Sequence, residues 1–473
     1  MSFDFKRVVV SEVCELIVDC VNKTAPKVDY ATPYKMIRTP NIRNGVINLD
    51  GCNFVTEDTY RKWTRRAIVR RDDVLLTREA PMGEVGIVDF EDEVFLGQRI
   101  MQYRADQNKV CPKFLFYSFL SSDLRNQFYQ HEGSGSVVSH IRVPDCLKFE
   151  INLPSLETQK RITSVLWSLD QKIKNNSEIN QTLEQMAQAL FKSWFVDFEP
   201  VKAKIAVLEA GGSQKEATLA AMTAISGKDV ESLEIFKREQ SEKYAELKAT
   251  AELFPSAMQE SELGGIPNDW SIGKLGDIID FNPKRILKKG NTASYLDMRN
   301  VPVVGHSAQD IIDREFSSGS KFKNGDTLLA RITPCLENGK TAYVDFLPTD
   351  EVVGWGSTEF IVMRSNKNLP LSLSYFFARL DSFRNIAIQS MQGTSGRQRA
   401  DASVLENHVW IVPSKELLQK FGTFSDSILA GNRSRYAENK HLAQLRDTLL
   451  PKLLSGEITL PETEQAVSKA ENV

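Results

Sequence analysis

The clearest periodicity in the chain lies in two long stretches. Ile162, Leu166, Leu169, Ile173, Asn176, Asn180, Leu183, Ala187, Leu190 and Trp194 recur at alternating spacings of four and three, the seam of a heptad helix. The same seam returns 259 residues later, with more polar positions, as Phe421, Ser425, Ile428, Asn432, Arg435, Asn439, Leu442, Arg446, Leu449 and Leu453. A helix over about 157–195 would run ~58 Å at 1.5 Å per residue. In the second copy Pro451 is expected to end or kink the helix. Each helix leaves its domain in the same direction along the repeat, so an intramolecular antiparallel coiled coil is the preferred arrangement, with pairing between chains left open. The pairing positions are Ile162, Leu166, Leu169, Ile173, Asn180, Leu183 and Leu190 against Phe421, Ile428, Asn439, Leu442 and Leu449. Asn180 and Asn439 hold equivalent seam places, where a polar residue either fixes register at a cost in stability or faces solvent.

The rest of the chain is duplicated too. Asp73-Val74-Leu75-Leu76-Thr77-Arg78 returns as Asp326-Thr327-Leu328-Leu329-Ala330-Arg331, displaced by 253, and Ile151-Asn152-Leu153-Pro154 returns as Trp410-Ile411-Val412-Pro413, displaced by 259. Each copy opens with short β-rich runs broken by turn signals such as Asn44-Gly45 and Asn324-Gly325. A helical patch follows, over 113–130 and 373–389. The expected fold is therefore α+β: two repeated mixed α/β domains separated by the two long antiparallel helices, with pseudo-twofold character. The divisions fall at 1–155 (first domain), 156–199 (first long helix), 200–264 (an insert), 265–413 (second domain), 414–460 (second long helix) and 461–473 (a polar tail).

Composition narrows the class. At 473 residues, more than one core is expected, and 41% hydrophobic with 26% charged residues is an ordinary folded composition. No run of ~20 apolar residues and no signal-peptide layout is present, so a cytoplasmic location is expected. Six cysteines without paired spacing and five scattered histidines offer neither a disulfide framework nor a metal site. Lys and Arg against Asp and Glu number 21 and 21 over 1–155, 17 and 16 over 266–413, and 8 and 13 over 196–262. An acidic insert thus lies between two neutral blocks, and DNA contact has to come from local clusters. The insert, rich in Ala, Glu and Lys, is expected to form short exposed helices joined by a flexible turn at Gly211-Gly212-Ser213.

Several features recur in the same order in both halves: the Asp-led strand start, a Gly-Ser or Gly-Thr loop, and a Pro-ended strand running into the long helix. With 189–200 (Ala-Leu-Phe-Lys-Ser-Trp-Phe-Val-Asp-Phe-Glu-Pro) and 262–270 (Glu-Leu-Gly-Gly-Ile-Pro-Asn-Asp-Trp), they give a chain that resembles, over nearly its whole length, the specificity subunit of a type I restriction-modification system. The resemblance implies a non-catalytic subunit with two target recognition domains, each reading half of a bipartite double-stranded DNA sequence. It also implies two methyltransferase (modification) subunits docked on the helices and restriction/translocase subunits joined to that core. S-adenosylmethionine, ATP and Mg are expected on those partners and no cofactor on this chain.

For DNA contact, the densest cation cluster is 61–71, with six cations and no anion, including Arg61, Lys62, Arg65 and Arg66. Such density suits phosphates, as it also suits a solvated face. Its Tyr60 and Trp63 are expected in the core. Base reading needs Arg for guanine and Asn or Gln for adenine. Candidates in the first half are Arg38, Asn41, Arg43, Asn44, Arg78, Gln98 and Arg99, and in the second half Arg299, Asn300, Arg331, Ser357 and Thr358. The small-residue loops add Ser136, Thr394, Arg397, Gln398 and Arg399, where backbone N–H groups can approach phosphate. Because the halves differ at nearly all these places, the target is expected to be asymmetric.

Two catalytic signatures fail. Gly339-Lys340-Thr341 ends like a phosphate-binding loop, but Pro334 stands where its first glycine belongs, and Asn282-Pro283-Lys284 lacks the second Pro and the aromatic of amino-methyltransferases. Two rival classes remain open: a coiled-coil protein-interaction adaptor without sequence-specific DNA binding, and a stand-alone DNA enzyme with an undetected site.

Overall fold

The computed structural model describes residues 5–130, 140–393 and 397–458. The polar tail at 461–473, Ser136 and Thr394 lie outside them. The chain forms two units, one of Met1–Lys174 with Asn439–Val473 and one of Asn175–Glu438.

In the first unit the apolar run Val74–Thr77 is buried throughout and sits inside a four-stranded antiparallel sheet, in the order Cys14–Asp19, Ile100–Ala105, Val74–Thr77, Val85–Ile87. A short continuous apolar run bounded by turns is what a strand covered on both faces requires. In the second unit Thr327–Ala330 takes the same place in the order Ile279–Phe281, Phe360–Ser365, Thr327–Ala330, Thr341–Tyr343. A second sheet accompanies each, of three strands in the first unit and four in the second, built around the parallel pair Lys35–Ile37 with Val94–Leu96, or Thr292–Leu296 with Gly354–Gly356. A final antiparallel pair, Lys6–Val9 with Glu150–Leu153 or Ser271–Lys274 with Val409–Val412, leads into the long helix. The duplication seen in the sequence is thus a duplication of topology.

The acids that open the central strands are structural. Asp73 and Asp326 are fully buried. Asp73 accepts both Nε and Nη2 of Arg104 at 2.8 Å, and Asp326 accepts Arg364 Nη1 at 2.7 Å and Arg285 Nη2 at 3.1 Å. Each also accepts the backbone N–H three residues before it, closing the turn. The Asn44-Gly45 turn forms as expected, with φ of 51° and 86°, between Ile42–Arg43 and Val46–Ile47.

The helical patches are each two helices rather than one: Pro112–Leu120 and Ser122–Gln130, then Leu373–Arg379 and Asp381–Gln389. Ser121 and Leu380 are extended, with ψ of 154° and 132°, and Ser121 Oγ accepts Leu124 N–H to start the next helix. Both first helices carry wholly buried aromatics, Phe114 and Phe119 in one and Tyr375 in the other.

The long helices run over Leu156–Phe195 and Lys415–Ser455. Pro451 does not end the second one. Leu449, Leu450, Leu453 and Leu454 are buried around it, and that packing holds the turn despite the lost backbone donor. The stop is Gly456, at φ 75°, where a Cβ would come within 2.7 Å of the Phe5 ring. The helices pair antiparallel in each unit. In the first, Asp170 meets Arg446 at 2.7 Å and Ile173 O accepts Asn439 Nδ2 at 3.2 Å. In the second, Asn176 Nδ2 donates to Glu438 at 2.7 Å and the Phe191 and Phe421 rings lie 5.2 Å apart. Ile162, Leu166, Leu169, Leu442 and Leu449 are buried in the first unit, and Phe421 and Ile428 in the second; Ile173, Leu183 and Leu190 are half-buried. Asn180 is buried and exchanges bonds with Asn432, each Nδ2 donating to the other's backbone carbonyl, at 3.3 and 3.2 Å. Displaced by 259, this pair becomes Asn439 with Ile173. The seam is therefore duplicated as contacts, but only one copy keeps both amides.

The insert differs from expectation. It is four helices, Glu199–Glu209, Gln214–Ser226, Val230–Glu239 and Ser241–Glu252, with buried Ala221, Met222, Leu233 and Ala251 clustered among them. Its glycine turn is a built cap rather than a flexible joint: Ser213 and Glu216 form a capping box, and a Cβ on Gly212 would meet Val207 at 2.6 Å.

Candidate nucleic-acid interface

In the first unit, the turns that follow three strands meet at one end of the domain. Arg78 N–H donates to Arg99 O at 2.7 Å, Ile141 N–H to Arg78 O at 3.0 Å, Gly97 N–H to Ile37 O at 2.7 Å, and Thr39 Oγ1 to Ala80 O at 2.9 Å. These bonds draw Arg38, Arg78, Gln98 and Arg99 together. Arg99, with φ 74°, is half exposed and ion-paired through Nε to Glu79. Arg38 Nη2 donates to Gly51 O at 3.2 Å, and Arg78 Nη1 to Ile141 O at 3.1 Å. Gln98 Nε2 lies 3.4 Å from Asn22 Oδ1. Two candidates turn inward. Asn41 is buried, its side chain bonded to Arg38 N–H and Asn48 O, and Arg43 Nη1 is folded back on Thr39 O and Ile42 O at 2.7 and 2.6 Å. Asn44 is exposed on its hairpin, its N–H held by Glu84 at 2.9 Å.

The cation cluster lies on and beyond the helix Glu57–Trp63. Tyr60 packs in a small core and stacks on Tyr34 at 4.7 Å, and Trp63 is half-buried with Nε1 on Lys23 O at 3.3 Å, so both aromatics are structural. Arg61 is braced by Glu57, Arg66 by Asp19 and Arg71 by Glu91, while Lys62, Arg65 and Arg70 are exposed and make no ion pair among the described residues. The Trp63 bond brings in exposed Lys23, which the sequence reading missed because it lies 40 residues upstream.

The second unit repeats two of these bonds. Arg331 N–H donates to Glu359 O at 2.9 Å and Ala400 N–H to Arg331 O at 2.8 Å. Residues 99 and 359 are thereby matched, as are 141 and 400. Ala80–Pro81 and Thr333–Pro334 are both cis, displaced by the same 253 residues as Arg78 and Arg331, a pairing legible in the sequence but overlooked. Around this turn stand Arg331, Ser357, Thr358, Gln398 and Arg399, with exposed Arg397 beside them. Arg331 Nε is buried and has no acceptor among the described residues. Ser357 Oγ accepts Glu359 N–H at 3.1 Å, Gln398 N–H donates to Thr333 Oγ1 at 3.2 Å, and Thr358 is exposed. Arg399 grips Glu359 through Nε and Nη2 at 2.7 to 3.0 Å; that hydrogen bonding outweighs burial and lowers the Glu359 carboxyl below its usual range. Arg299 is 80% exposed beside Asp297, and Asn300 Nδ2 bonds Asp310 O at 3.2 Å. Lys340 donates to Met298 O and Arg299 O, so Gly339-Lys340-Thr341 is a turn that braces this segment.

Among the described residues no cluster of three or more potential metal ligands occurs, and no helix is long and apolar enough to cross a membrane. A buried charge cluster of the second unit lies elsewhere: His306, fully buried, faces Glu184 at 3.4 Å and Asp345 at 3.3 Å, and Tyr375 donates to Glu184.

Residues 4–185 match the family model for the type I restriction modification DNA specificity domain. The chain is 31% identical over 413 residues to the type I restriction enzyme HindI specificity subunit of Haemophilus influenzae, covering 82% of this chain and 87% of that one. It is 23% identical to the MjaIX specificity subunit of Methanocaldococcus jannaschii, covering 86% and 82%. The crystal structure of the type I restriction-modification system S subunit from M. genitalium aligns over 95% of this chain and 96% of that one, at 14% identity and a TM-score of 0.49.

Proposed function

The chain belongs to the family of type I restriction-modification specificity subunits, and from that membership we propose that it is the sequence-reading, non-catalytic component of such a complex in the cytoplasm. Its two domains, over 1–155 and 265–413, each read one half of an asymmetric bipartite duplex. The observation that carries this reading is the matched turn at Arg78 and Arg331, where identical backbone bonds hold different side chains: Arg99 against Glu359, and His140 against Arg399. One scaffold carrying two unlike sets of side chains is what two unlike half-sites demand. Exposed Lys62, Arg65 and Arg70 supply sequence-independent phosphate contact. Two methyltransferase subunits dock on the paired helices and restriction/translocase subunits join them; S-adenosylmethionine, ATP and Mg belong to those partners.

The test is long-read methylation mapping in cells expressing this chain with its methyltransferase subunit, against cells with the methyltransferase alone. A new asymmetric bipartite motif that depends on this chain is expected. Soluble co-purification of the two proteins with no new motif would overturn the reading in favour of a protein-interaction adaptor.

A further inference from the structure

An arginine reads guanine through two N–H donors aimed at O6 and N7, and a long flexible side chain loses discrimination unless something holds its fork in place. In the second unit Glu359 does this to Arg399. The carboxylate takes the side edge of the guanidinium, Nε to Oε2 at 2.8 Å and Oε1 at 3.0 Å, and Nη2 to Oε1 at 2.7 Å. The end edge, Nη1 with the second hydrogen of Nη2, meets no acceptor among the described residues. Glu359 is 21% exposed and Arg399 45%, so the brace is sunk and the fork emerges. Glu359 is itself fixed by its position: its carbonyl accepts Arg331 N–H and its N–H is held by Ser357 Oγ. In the first unit Glu79 makes a single ion-pair contact with Nε of Arg99 at the same backbone junction. The two pairs are not copies. Arg99 occupies the place of Glu359, and of the two pairs it is Glu359–Arg399 in which a carboxylate takes two guanidinium nitrogens.

Resting on the DNA-reading role proposed above, we propose that Glu359 is a positioning residue that presents the end edge of Arg399 to a guanine in the second half-site. The chemistry recognised is a pair of adjacent acceptors on a major-groove base edge. The carboxylate does not need to touch DNA, and repulsion from phosphate is avoided because it is neutralised by Arg399.

The experiment uses the full chain, a randomised duplex library and sequencing of the bound fraction. A wild-type chain that enriches no motif refutes the DNA-reading role itself and leaves nothing for Glu359 to position, so the two failures are distinguishable. Given a wild-type motif, Arg399→Lys should relax one G·C pair by roughly tenfold to a hundredfold, the span of one bidentate contact. Glu359→Ala should relax that same pair and no other, while binding to a scrambled duplex changes less than about twofold. Glu359→Gln, which keeps an acceptor oxygen and the shape of the side chain, should fall between wild type and Glu359→Ala; it also serves if the alanine variant does not fold. An unchanged motif in Glu359→Ala and Glu359→Gln, or relaxation at a different pair from Arg399→Lys, overturns the proposal.

Discussion

Replacing His306 by Gln should expose a titrating contact of the second unit. The imidazole sits between Glu184 on the first long helix and Asp345 in the recognition domain, with Tyr375, Tyr436 and Arg379 around it. Burial alone would lower its pKa, but hydrogen bonds to Asp345 and Glu184, and their charges, outweigh burial and push it up to about 9. Against an ordinary value of 6.5 this corresponds to about 3 kcal/mol of folding stability. The folded value lies above the unfolded one, so the contribution is complete below pH 6.5 and fades as the pH climbs to 9 and beyond. Glutamine keeps part of the hydrogen bonding and cannot take the charge. Urea unfolding followed by tryptophan fluorescence suits the question, because Trp194, Trp270, Trp355 and Trp410 all belong to the second unit. Wild type should exceed His306→Gln most at pH 6, and the difference should shrink by about 3 kcal/mol by pH 10. Groups that titrate alike in both chains cancel. A difference that stays constant within about 1 kcal/mol over that range would show that His306 is neutral in the folded chain, and the charge argument would fail.

Three further outcomes are expected. Lys62→Ala with Arg65→Ala should weaken binding to specific and scrambled duplexes alike and lower the slope of log affinity against log salt by about two, read by fluorescence anisotropy across a salt series. Arg331→Ala should lose affinity for the specific duplex only; equal losses on both duplexes would remove it from the base-reading set. Phe191→Ala, which empties a fully buried site against Phe376, Phe377 and Phe421, should cost about 3–5 kcal/mol and lower the melting temperature of the second unit, measured by calorimetry.

Much of this protein is legible in the sequence because the relevant signals are local or periodic. The heptad seam names the faces of both long helices, the run Asp73–Thr77 and its copy at Asp326 name the central strands, and Asn44-Gly45 names its hairpin. In each case the determining physics lies within one helical turn or one strand. Segments recurring in the same order at displacements of 253 to 259 also revealed the duplication without any structure.

What tertiary structure decided are the meetings between distant segments. Antiparallel helices match a rising number with a falling one, so Asn180 finds Asn432 and not its repeat counterpart Asn439. Asn41 carries the right chemistry for adenine, yet its amide is spent inside a turn. Glu79 and Glu359 drew no notice beside the arginines, because nothing in one dimension places Glu359 40 residues from its partner and against it. Gly456 rather than Pro451 ends the second helix because buried leucines outweigh one missing backbone bond. A sequence states which side chains exist and which face of its own element each occupies, and that suffices wherever the controlling interactions are near in the chain. Burial, pairing and charge neutralisation depend on what arrives from elsewhere, and only the folded chain sets those distances.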